Sequence, residues 1–373
     1  MATPQPTTTT TMRAWTSTKT GLQLDAHRPS PAPAASAVPG AHLLLRVRYA
    51  GLNPADLALM ATFPAWLPWR RNPIVGLDFV GEVIAAGPQA AQASSSPEVA
   101  KAGTLVCGAL GVRQAFFGAG TLGEVLMVPA DLVAAVPQRF LSARNGGGEG
   151  ESIRAAVAMG VTGQTAALVL REAEARGKGR IVEWAGKRVL VNGASGGVGS
   201  ILVHVLKNRG AHVVGVCSGA NEEMVRKLGA DEVIDYKVHQ DVYGFITEST
   251  PKDQQFDLVV DCVGDDNLYT RCLGYLKLEG RFLCITGGPS QGVYPFLMHQ
   301  IRPVFLGGTP RSYKILGMGP SGAGAREVAD WAEKGYLKEV AIDSEFTMDE
   351  VPKAYERVES KRARGKVVIR ISE

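Results

Sequence analysis

The segment VLVNGASGGVGS, residues 189–200, decides the fold, because an apolar run there ends abruptly in small residues. The run predicts a buried strand, and VGSILVHVLKNRG (198–210) continues with apolar residues at helical spacing. Ala194, Gly196 and Gly199 occupy the positions of the G-x-G-x-x-G fingerprint, with Ala for the first Gly. Bare backbone at a helix N-terminus lets a pyrophosphate approach the N–H groups. The segment therefore predicts a dinucleotide site, with a tight turn and no ligand as the alternative.

Strands and helices alternate from about residue 188 onward. The apolar runs are KRVLVNG (187–193), HVVGVCS (212–218), EVIDY (232–236), FDLVVDCVG (256–264) and RFLCITGG (281–288). Nearly continuous apolar strands that alternate with helices are typical of a parallel sheet covered on both faces. The middle of the chain is therefore predicted to be a doubly wound α/β domain.

The first half of the chain has a different pattern. Its strand-like runs are LLLRVRYAGLNP (43–54), VGLDFVGEVIAAG (75–87) and GTLGEVLMVPADLVAAVP (120–137), broken by Gly and Pro. Such runs predict an antiparallel, barrel-like β domain. The final helix and strand are expected to return and complete this domain, with a cleft between the two domains. The expected boundaries are a disordered tail (1–11), the β domain (12–156), the nucleotide domain (157–309) and a return segment (310–373).

Composition excludes several classes of partner. The chain has 373 residues and a formal charge of +4, without basic runs interleaved with aromatics, so we expect no nucleic-acid partner. No stretch approaches the ~18 apolar residues of a membrane span. Five scattered cysteines favour a reducing compartment. The first eleven residues lack presequence arginines and a signal-peptide core, so a cytoplasmic protein is expected, with the mitochondrion as the alternative.

The residue after the second strand of the nucleotide domain indicates the cofactor. NAD sites place a carboxylate roughly 20 residues beyond the glycines to bind the ribose 2′-hydroxyl. Here Ser218 lies nineteen residues after Gly199. A carboxylate would repel a 2′-phosphate, whereas a hydroxyl can donate to one. Cationic side chains lie nearby in sequence: Arg226, Lys227 and Lys237. NADPH is therefore predicted; alternatively Ser218 is a turn residue and the cations are solvated.

Together these residues resemble the medium-chain dehydrogenase/reductase superfamily, specifically its zinc-free quinone oxidoreductase branch. The resemblance extends from Met12 to Ile371. It rests on GLNPADLALM (51–60), GLDFVGEV (76–83), GTLGEVLMVP (120–129), MGVTGQTAALVL (159–170), NGASGGVGS (192–200), CSGANEEMVRKLGADEVIDYK (217–237) and ARGKVVI (363–369). The last two segments look most like the mitochondrial reticulon-interacting oxidoreductases. The implied fold is a Rossmann nucleotide domain inserted in a GroES-like β-barrel domain.

The resemblance also implies which residues bind the cofactor. They are Ala194, Ser195, Gly196, Gly197 and Val198 at the pyrophosphate, Ser218, Asn221 and Tyr236 at the 2′-phosphate, Val263 and Gly264 beneath the adenine-side ribose, and Gly287 and Gly288 near the nicotinamide. From the residues alone, Tyr236 is equally well a partly buried tyrosine at a sheet edge.

No metal site is expected. Zinc-dependent members of the superfamily carry a Cys near the GLNPAD segment and a His-Glu pair where this chain has Leu77 and Asp78. Zinc needs three or four N, S or O ligands. The first half offers only scattered ones: His27, His42 and Cys107. Without a metal, reduction of a quinone or an activated C=C, whose conjugated oxygen accepts the developing charge, fits better than alcohol oxidation.

Asn53 is the leading catalytic candidate, as an amide donor toward the substrate oxygen; alternatively it caps the turn before Pro54. Asp56 is assigned to structure, capping a short helix after Pro54. Many quinone and enoyl reductases have a Tyr shortly after this Asn, whereas this chain has Ala58, Leu59 and Met60. A tyrosine proton donor at that position is therefore in doubt, and water is the expected alternative source.

The segment MATFPAWLPWRRNP (60–73) places Phe63, Trp66 and Trp69 near the expected cleft mouth. Aromatic walls suit a flat, apolar quinone or enone. Alternatively, these are loop aromatics pinned against the β domain.

Three functions remain open from the sequence. The first is NADPH-dependent reduction of quinones or α,β-unsaturated carbonyl compounds. The second is a biosynthetic trans-enoyl reductase acting on a natural-product or carrier-bound substrate. The third is a non-catalytic NADPH-binding interaction protein. In the first, the partner is a small apolar molecule, and a homodimer is the expected assembly.

Overall fold

The structure is a computed structural model that describes residues 11–32, 37–63, 65, 69–141, 153–177, 179–286, 298–299 and 301–372. The chain divides into two compact units. The first unit holds the described residues up to Gln164, together with Gly319–Glu333 and those from Ile342 onward. The second unit holds Thr165–Met318 and Lys334–Ala341.

The described residues form fifteen strands and eleven α-helices, besides short 3-10 helices. The strands are β1 Thr11–Thr18, β2 Gly21–Pro29, β3 His42–Leu52, β4 Asp78–Ala86, β5 Leu105–Ala109, β6 Val125–Pro129, β7 Val133–Ala135, β8 Arg188–Asn192, β9 His212–Cys217, β10 Glu232–Asp235, β11 Phe256–Asp261, β12 Leu276–Cys284, β13 Ser312–Ile315, β14 Ile342–Thr347 and β15 Lys366–Arg370. The α-helices are α1 Pro54–Thr62, α2 Ala90–Ala93, α3 Val112–Phe116, α4 Gln138–Leu141, α5 Val161–Glu174, α6 Gly197–Asn208, α7 Glu222–Lys227, α8 Val242–Glu248, α9 Asp266–Thr270, α10 Gly322–Glu333 and α11 Val351–Glu359.

The second unit is built on a parallel six-stranded sheet in the order β10-β9-β8-β11-β12-β13. Its central strands are apolar because they are covered on both faces; Val189 and Val259, for example, are fully buried. The chain runs outward in one direction from β8 to β10 and in the other from β11 to β13. The carboxyl ends of β8 and β11 therefore meet at the switch point where such sheets bind ligands. The predicted doubly wound domain is confirmed.

The first unit contains a mainly antiparallel seven-stranded sheet in the order β14-β15-β3-β4-β5-β7, with β6 also paired to β3. Strand β15 near the end of the chain pairs with β3 near its beginning, Val367 opposite Leu52. The core beneath this sheet includes Leu45, Phe79 and Ile369, all fully buried. The C-terminal segment thus completes a sheet that the N-terminal half begins.

The division differs at its edges from the predicted boundaries. The second unit continues past residue 309 because β13 pairs with β12, Tyr313 opposite Phe282. Helix α5 spans the junction between Gln164 and Thr165, later than the predicted start at residue 157. Thr11 begins β1, while the rest of the predicted tail, residues 1–10, lies outside the described residues.

Candidate functional site

The glycine loop connects β8 to α6 by a turn that tolerates few side chains. Gly193 adopts φ +78, a conformation that strains any residue with a Cβ. A Cβ added at Gly199 would lie 2.2 Å from the Gly193 carbonyl oxygen. Glycine at position 199 thus lets the first turn of α6 pack directly on the end of β8.

The start of α6 fits a pyrophosphate. The first bond of the helix joins the Ser200 N–H to the Gly196 carbonyl at 2.9 Å. The N–H groups of Gly197 and Val198 therefore have no carbonyl of an earlier turn to bind, and they lie at the positive end of the helix dipole. A Cβ added at Gly196 would meet only the Gly193 oxygen, at 3.4 Å. Ala194 is instead fully buried and packs toward β9, so its methyl group is part of the core.

Ser195 in the loop is joined to the segment after β9. Asn221 Nδ2 donates to Ser195 Oγ at 2.9 Å, and the Asn221 N–H donates to the Ser218 carbonyl at 2.8 Å. The Tyr236 N–H, just after β10, donates to the Cys217 carbonyl at 3.2 Å. Four of the sequence-predicted residues are therefore close together at the carboxyl ends of adjacent strands: Ser195, Ser218, Asn221 and Tyr236.

The candidate cations differ in their surroundings. Arg226 Nε donates to Glu222 Oε1 at 2.8 Å, so its charge is already paired within α7. Lys237 is exposed and directly follows the half-exposed Tyr236. A carboxylate that sequence reasoning missed, Asp235, lies against Gly219 and accepts from the Lys237 N–H at 2.8 Å.

A second missed residue, Asp261, shapes the loop after β11. Its buried carboxylate accepts from the N–H groups of Val263 (2.9 Å), Gly264 (3.1 Å) and Asp265 (2.7 Å) and from Asn192 Nδ2 (2.9 Å). Burial nevertheless raises the pKa of Asp261. The carboxylate thus holds the predicted ribose loop in place, leaving Val263 half-exposed. A carboxylate at the end of an apolar strand was the sequence signal for this role.

The nucleotide unit also contains two glycines predicted to lie near the nicotinamide and two cysteines at strand ends. Gly287 and Gly288 lie outside the described residues. Burial raises the pKa of Cys217 to about 11 and that of Cys262 well above its ordinary value. Neither cysteine is therefore a thiolate nucleophile at neutral pH.

In the first unit, Asn53 belongs to a buried polar cluster with Asp78 and Lys366, here called the Asn53 cluster. Lys366 Nζ donates to Asn53 Oδ1 at 2.6 Å and to Asp78 Oδ2 at 2.5 Å. Asn53 Nδ2 donates to the same Asp78 oxygen at 3.0 Å. All three residues are at most 2% exposed. The Asn53 amide is therefore part of a charged network. The alternative from the sequence was a simple cap of the turn before Pro54.

Two glycines and a helix start complete the surroundings of this cluster. A Cβ added at Gly51 would lie 2.6 Å from Lys366 Cε, and one at Gly160 would lie 2.3 Å from Asp78 Oδ1. The Val161 N–H, at the start of α5, donates to Asp78 Oδ1 at 2.7 Å. The helix dipole of α5 thus stabilises the Asp78 carboxylate.

Asp56 caps α1 as predicted. Its Oδ2 accepts from the Asn53 backbone N–H at 2.7 Å. Its Oδ1 is buried and has no hydrogen-bond partner among the described residues, and burial raises the pKa of Asp56 to about 8. The hydroxyl of Tyr355 on α11 is likewise buried without a partner in the described chain, and burial raises its pKa well above the ordinary value.

An aromatic cluster lies at the far end of α1. Its members are Phe63, Trp69, Phe116 and Phe117, with neighbouring ring centroids 5.1–6.0 Å apart. The buried Arg70 guanidinium donates to the carbonyls of Phe63 and Ala115 and so ties the two segments together. Trp69 and Phe117 are more than half exposed. Trp66 lies outside the described residues.

The described residues of the first unit do not fit a zinc ion. No group of three or more His, Cys, Asp or Glu side chains suited to a metal occurs within the described ranges. The Asp78 carboxylate is bound by the Lys366 ammonium, and burial raises the pKa of Cys107 to about 12. In the part of the chain that the structure describes, no helix is long and apolar enough to cross a membrane.

Two family models match the chain. Residues 39–138 match the alcohol dehydrogenase GroES-like domain, and residues 228–369 match a family described as zinc-binding dehydrogenase. The second match begins after β9, so it includes β10 to β13 of the nucleotide unit together with β14 and most of β15. Together they agree with the arrangement of sheets described above.

Two curated relatives match over most of the chain, and a third matches over half of it. The medium chain reductase pydE of Acremonium sp is 36% identical over 88% of this chain and 89% of its own length. The trans-enoyl reductase poxH of Penicillium oxalicum is 33% identical over 98% of this chain and 99% of its own. The mouse mitochondrial NAD(P)H oxidoreductase RTN4IP1 is 36% identical over 50% of this chain and 48% of its own.

A solved structure has the same fold. The quinone oxidoreductase from Coxiella burnetii superposes with a TM-score of 0.72 at 21% identity, over 97% of this chain and 99% of its own. The resemblance predicted from the sequence is therefore confirmed. The chain belongs to the medium-chain dehydrogenase/reductase superfamily, whose members are NAD(P)-binding oxidoreductases.

Proposed function

We propose that this protein is an NADPH-dependent reductase of activated C=C bonds in α,β-unsaturated carbonyl compounds, with quinones as a second class of acceptor. The observation that carries the cofactor assignment is the turn Ser218–Asn221. It provides a hydroxyl and an amide where NAD sites place a carboxylate, and Asn221 ties it to the glycine loop.

Two features favour the 2′-phosphate. The half-exposed Tyr236 hydroxyl and the exposed Lys237 follow β10, next to the Ser218 turn, and both can donate to an anion. The nearby Asp235 is engaged by the Lys237 N–H. The proposed binding set comprises Ala194, Ser195, Gly196, Gly197, Val198, Ser218, Asn221, Tyr236, Val263, Gly264, Gly287 and Gly288.

Bound NADPH supplies the hydride. In the first unit, Asn53 is the proposed donor to the substrate oxygen, on which negative charge develops as the C=C is reduced. Residues 58–60 of α1 provide no tyrosine, so water is proposed to protonate the product. The aromatic cluster around Phe116 offers apolar ring faces and edges against which the body of a conjugated substrate could pack.

The relatives favour enoyl reduction over quinone reduction. Two kinds of named reductase, a medium chain reductase and a trans-enoyl reductase, align over most of the chain. A carrier-bound or tailored natural-product substrate is therefore the specific alternative within this class. A non-catalytic nucleotide-binding protein is the other alternative, because the protein lacks the tyrosine donor.

A cofactor and substrate panel tests the proposal. The full chain is mixed with NADPH or NADH and with enones, 2-enoyl thioesters or quinones, and cofactor oxidation is followed by absorbance. The proposal predicts oxidation of NADPH in preference to NADH, with faster turnover of enones or enoyl thioesters than of quinones. Tight NADPH binding without turnover of any compound would instead favour the non-catalytic alternative.

A homodimer is proposed as the assembly. Strand β13 is an edge of the six-stranded sheet, and edge strands offer unpaired backbone groups to a second sheet. Exposed apolar side chains precede it in sequence: Ile301, Val304, Phe305 and Leu306. Light scattering coupled to size-exclusion chromatography measures the mass, and a monomer at micromolar concentration would contradict this assembly.

A further inference from the structure

The Asn53 cluster contains more hydrogen-bond donors than acceptors. An amide nitrogen carries two hydrogens and an ammonium three. Asn53 Nδ2 has one acceptor in the described chain, Asp78 Oδ2, and Lys366 Nζ has two, Asn53 Oδ1 and Asp78 Oδ2. One amide hydrogen and one ammonium hydrogen are thus left without an acceptor among the described residues. Buried donors are rarely left unpaired unless they serve another purpose.

The charges of the cluster determine which way the amide points. The two ends of a carboxamide have nearly the same shape, so packing alone does not distinguish them. Lys366 attracts the amide oxygen, and Asp78 attracts the amide nitrogen. The reversed orientation would place the N–H groups against the ammonium and the oxygen against the carboxylate.

We infer that Lys366 is a positioning residue for the proposed reduction, acting through Asn53. Its ammonium, together with the Asp78 carboxylate, fixes the amide so that the second Nδ2 hydrogen remains for the carbonyl oxygen of the substrate. This inference rests on the proposed function. A donor fixed before the reaction stabilises the developing oxygen charge without reorganising, which is how such donors lower the barrier.

Burial of the cluster restricts the hydrogen bonds that the amide can make. Because the three side chains are at most 2% exposed, the Asn53 amide has few alternative partners among which to rotate. Lys366 is held in turn by the close approach of Gly51, where a Cβ would lie 2.6 Å from its Cε. The ammonium therefore has little freedom to leave the amide oxygen.

The test is a double-mutant cycle on the full chain. Asn53→Ala, Lys366→Met and the double variant are compared with the unchanged protein for kcat, KM of the best enone or enoyl thioester, and NADPH Kd. We expect each single variant to lower kcat by about tenfold or more, with NADPH Kd within about twofold. The double variant should be no slower than Asn53→Ala, because Lys366 acts only through that amide. Lys353→Met, an exposed lysine on α11, is the control and should leave kcat unchanged.

The outcomes separate the inference from the proposed function. Two results would overturn the inference while leaving the reductase assignment intact. One is a double variant whose loss in kcat equals the product of the two single losses; the other is an unchanged kcat in folded Lys366→Met. An unchanged protein that reduces no compound of the panel overturns the proposed function and the inference with it. Should Lys366→Met fail to fold, the same cycle is run with Lys366→Arg, which keeps the charge but alters the donor geometry. A double variant with Lys366→Arg whose loss in kcat equals the product of the two single losses would again contradict the inference.

Discussion

Lys366 and Asp78 form a fully buried ion pair, with 2.5 Å between Nζ and Oδ2, although 288 residues separate them in the chain. The pair joins the first strand residue of β15 to the first of β4. Asp78 also accepts from the Val161 N–H, so three chain segments depend on one carboxylate. Loss of this ion pair is therefore expected to destabilise the first unit.

Removing one partner of this pair should be costly. Asp78→Asn leaves the Lys366 ammonium buried without its counter-ion, and we expect a loss of about 3–5 kcal/mol in the free energy of unfolding. The control is Glu82→Gln, which breaks the partly exposed Arg48–Glu82 pair and should cost about 0–1 kcal/mol. Urea unfolding of both variants measures the difference, and equal losses would contradict this prediction.

Asp56 makes stability depend on pH. Its folded pKa of about 8 lies above the unfolded value of 3.8, so only the unfolded chain loses this proton between those values. The contribution of Asp56 to the free energy of unfolding should be largest below pH 3.8 and should fall as pH rises toward 8. Asp56→Asn keeps an acceptor for the Asn53 N–H and removes the titration. As pH rises, the free energy of unfolding of Asp56→Asn should therefore increase relative to that of the unchanged protein, by up to about 1.4 kcal/mol per pH unit. Urea unfolding at several pH values measures this difference, and a difference that does not change with pH would exclude the effect.

Ser218→Asp tests the choice between the cofactors. A carboxylate at this position would repel the 2′-phosphate, so NADPH should bind about tenfold or more weakly, while NADH binding is kept or improved. Ser360→Asp, at an exposed serine of the first unit, controls for the added charge. Fluorescence titration of both cofactors gives the two Kd values. An unchanged ratio of NADPH to NADH affinity would remove Ser218 from the site.

Gly199→Ala tests the loop itself. The new methyl group would lie 2.2 Å from the Gly193 carbonyl oxygen, so the start of α6 must move. Affinity for NADPH and NADH should fall together, by about tenfold or more, since both share the pyrophosphate. Gly317→Ala, in the same unit with no atom within 4 Å of the added Cβ, is the matched control. Selective loss of NADPH alone would be inconsistent with a pyrophosphate role.

Much of the nucleotide unit could be predicted because its signals are local. Each apolar strand is one continuous run, and the glycines at 196 and 199 lie within 22 residues of Ser218. Strand β13 was not predicted, and its residues were assigned to the return segment, because the sequence before them lacks the regular alternation of strands and helices. Its pairing with β12 became visible only in the sheet.

The Asn53 cluster could not be predicted in full, because its partners lie 25 and 313 residues away. Asn53 stood out beside Pro54, but Lys366 looked like one charged residue at the start of an apolar strand. A buried lysine is expected only if an anion is placed against it, and sequence spacing does not reveal the opposing strand. Asp261 was missed for a different reason: three of its partners are backbone N–H groups, which no residue type marks in the sequence.

The most direct test of the proposed reduction follows the hydride. NADPH deuterated at C4 on one face or the other is supplied to the protein with an enone, and the product is analysed by mass spectrometry and NMR. Direct hydride transfer should place one deuterium on the carbon β to the carbonyl, delivered from only one of the two labelled cofactors. A reduced product without deuterium from either cofactor, or no reduced product at all, would contradict it.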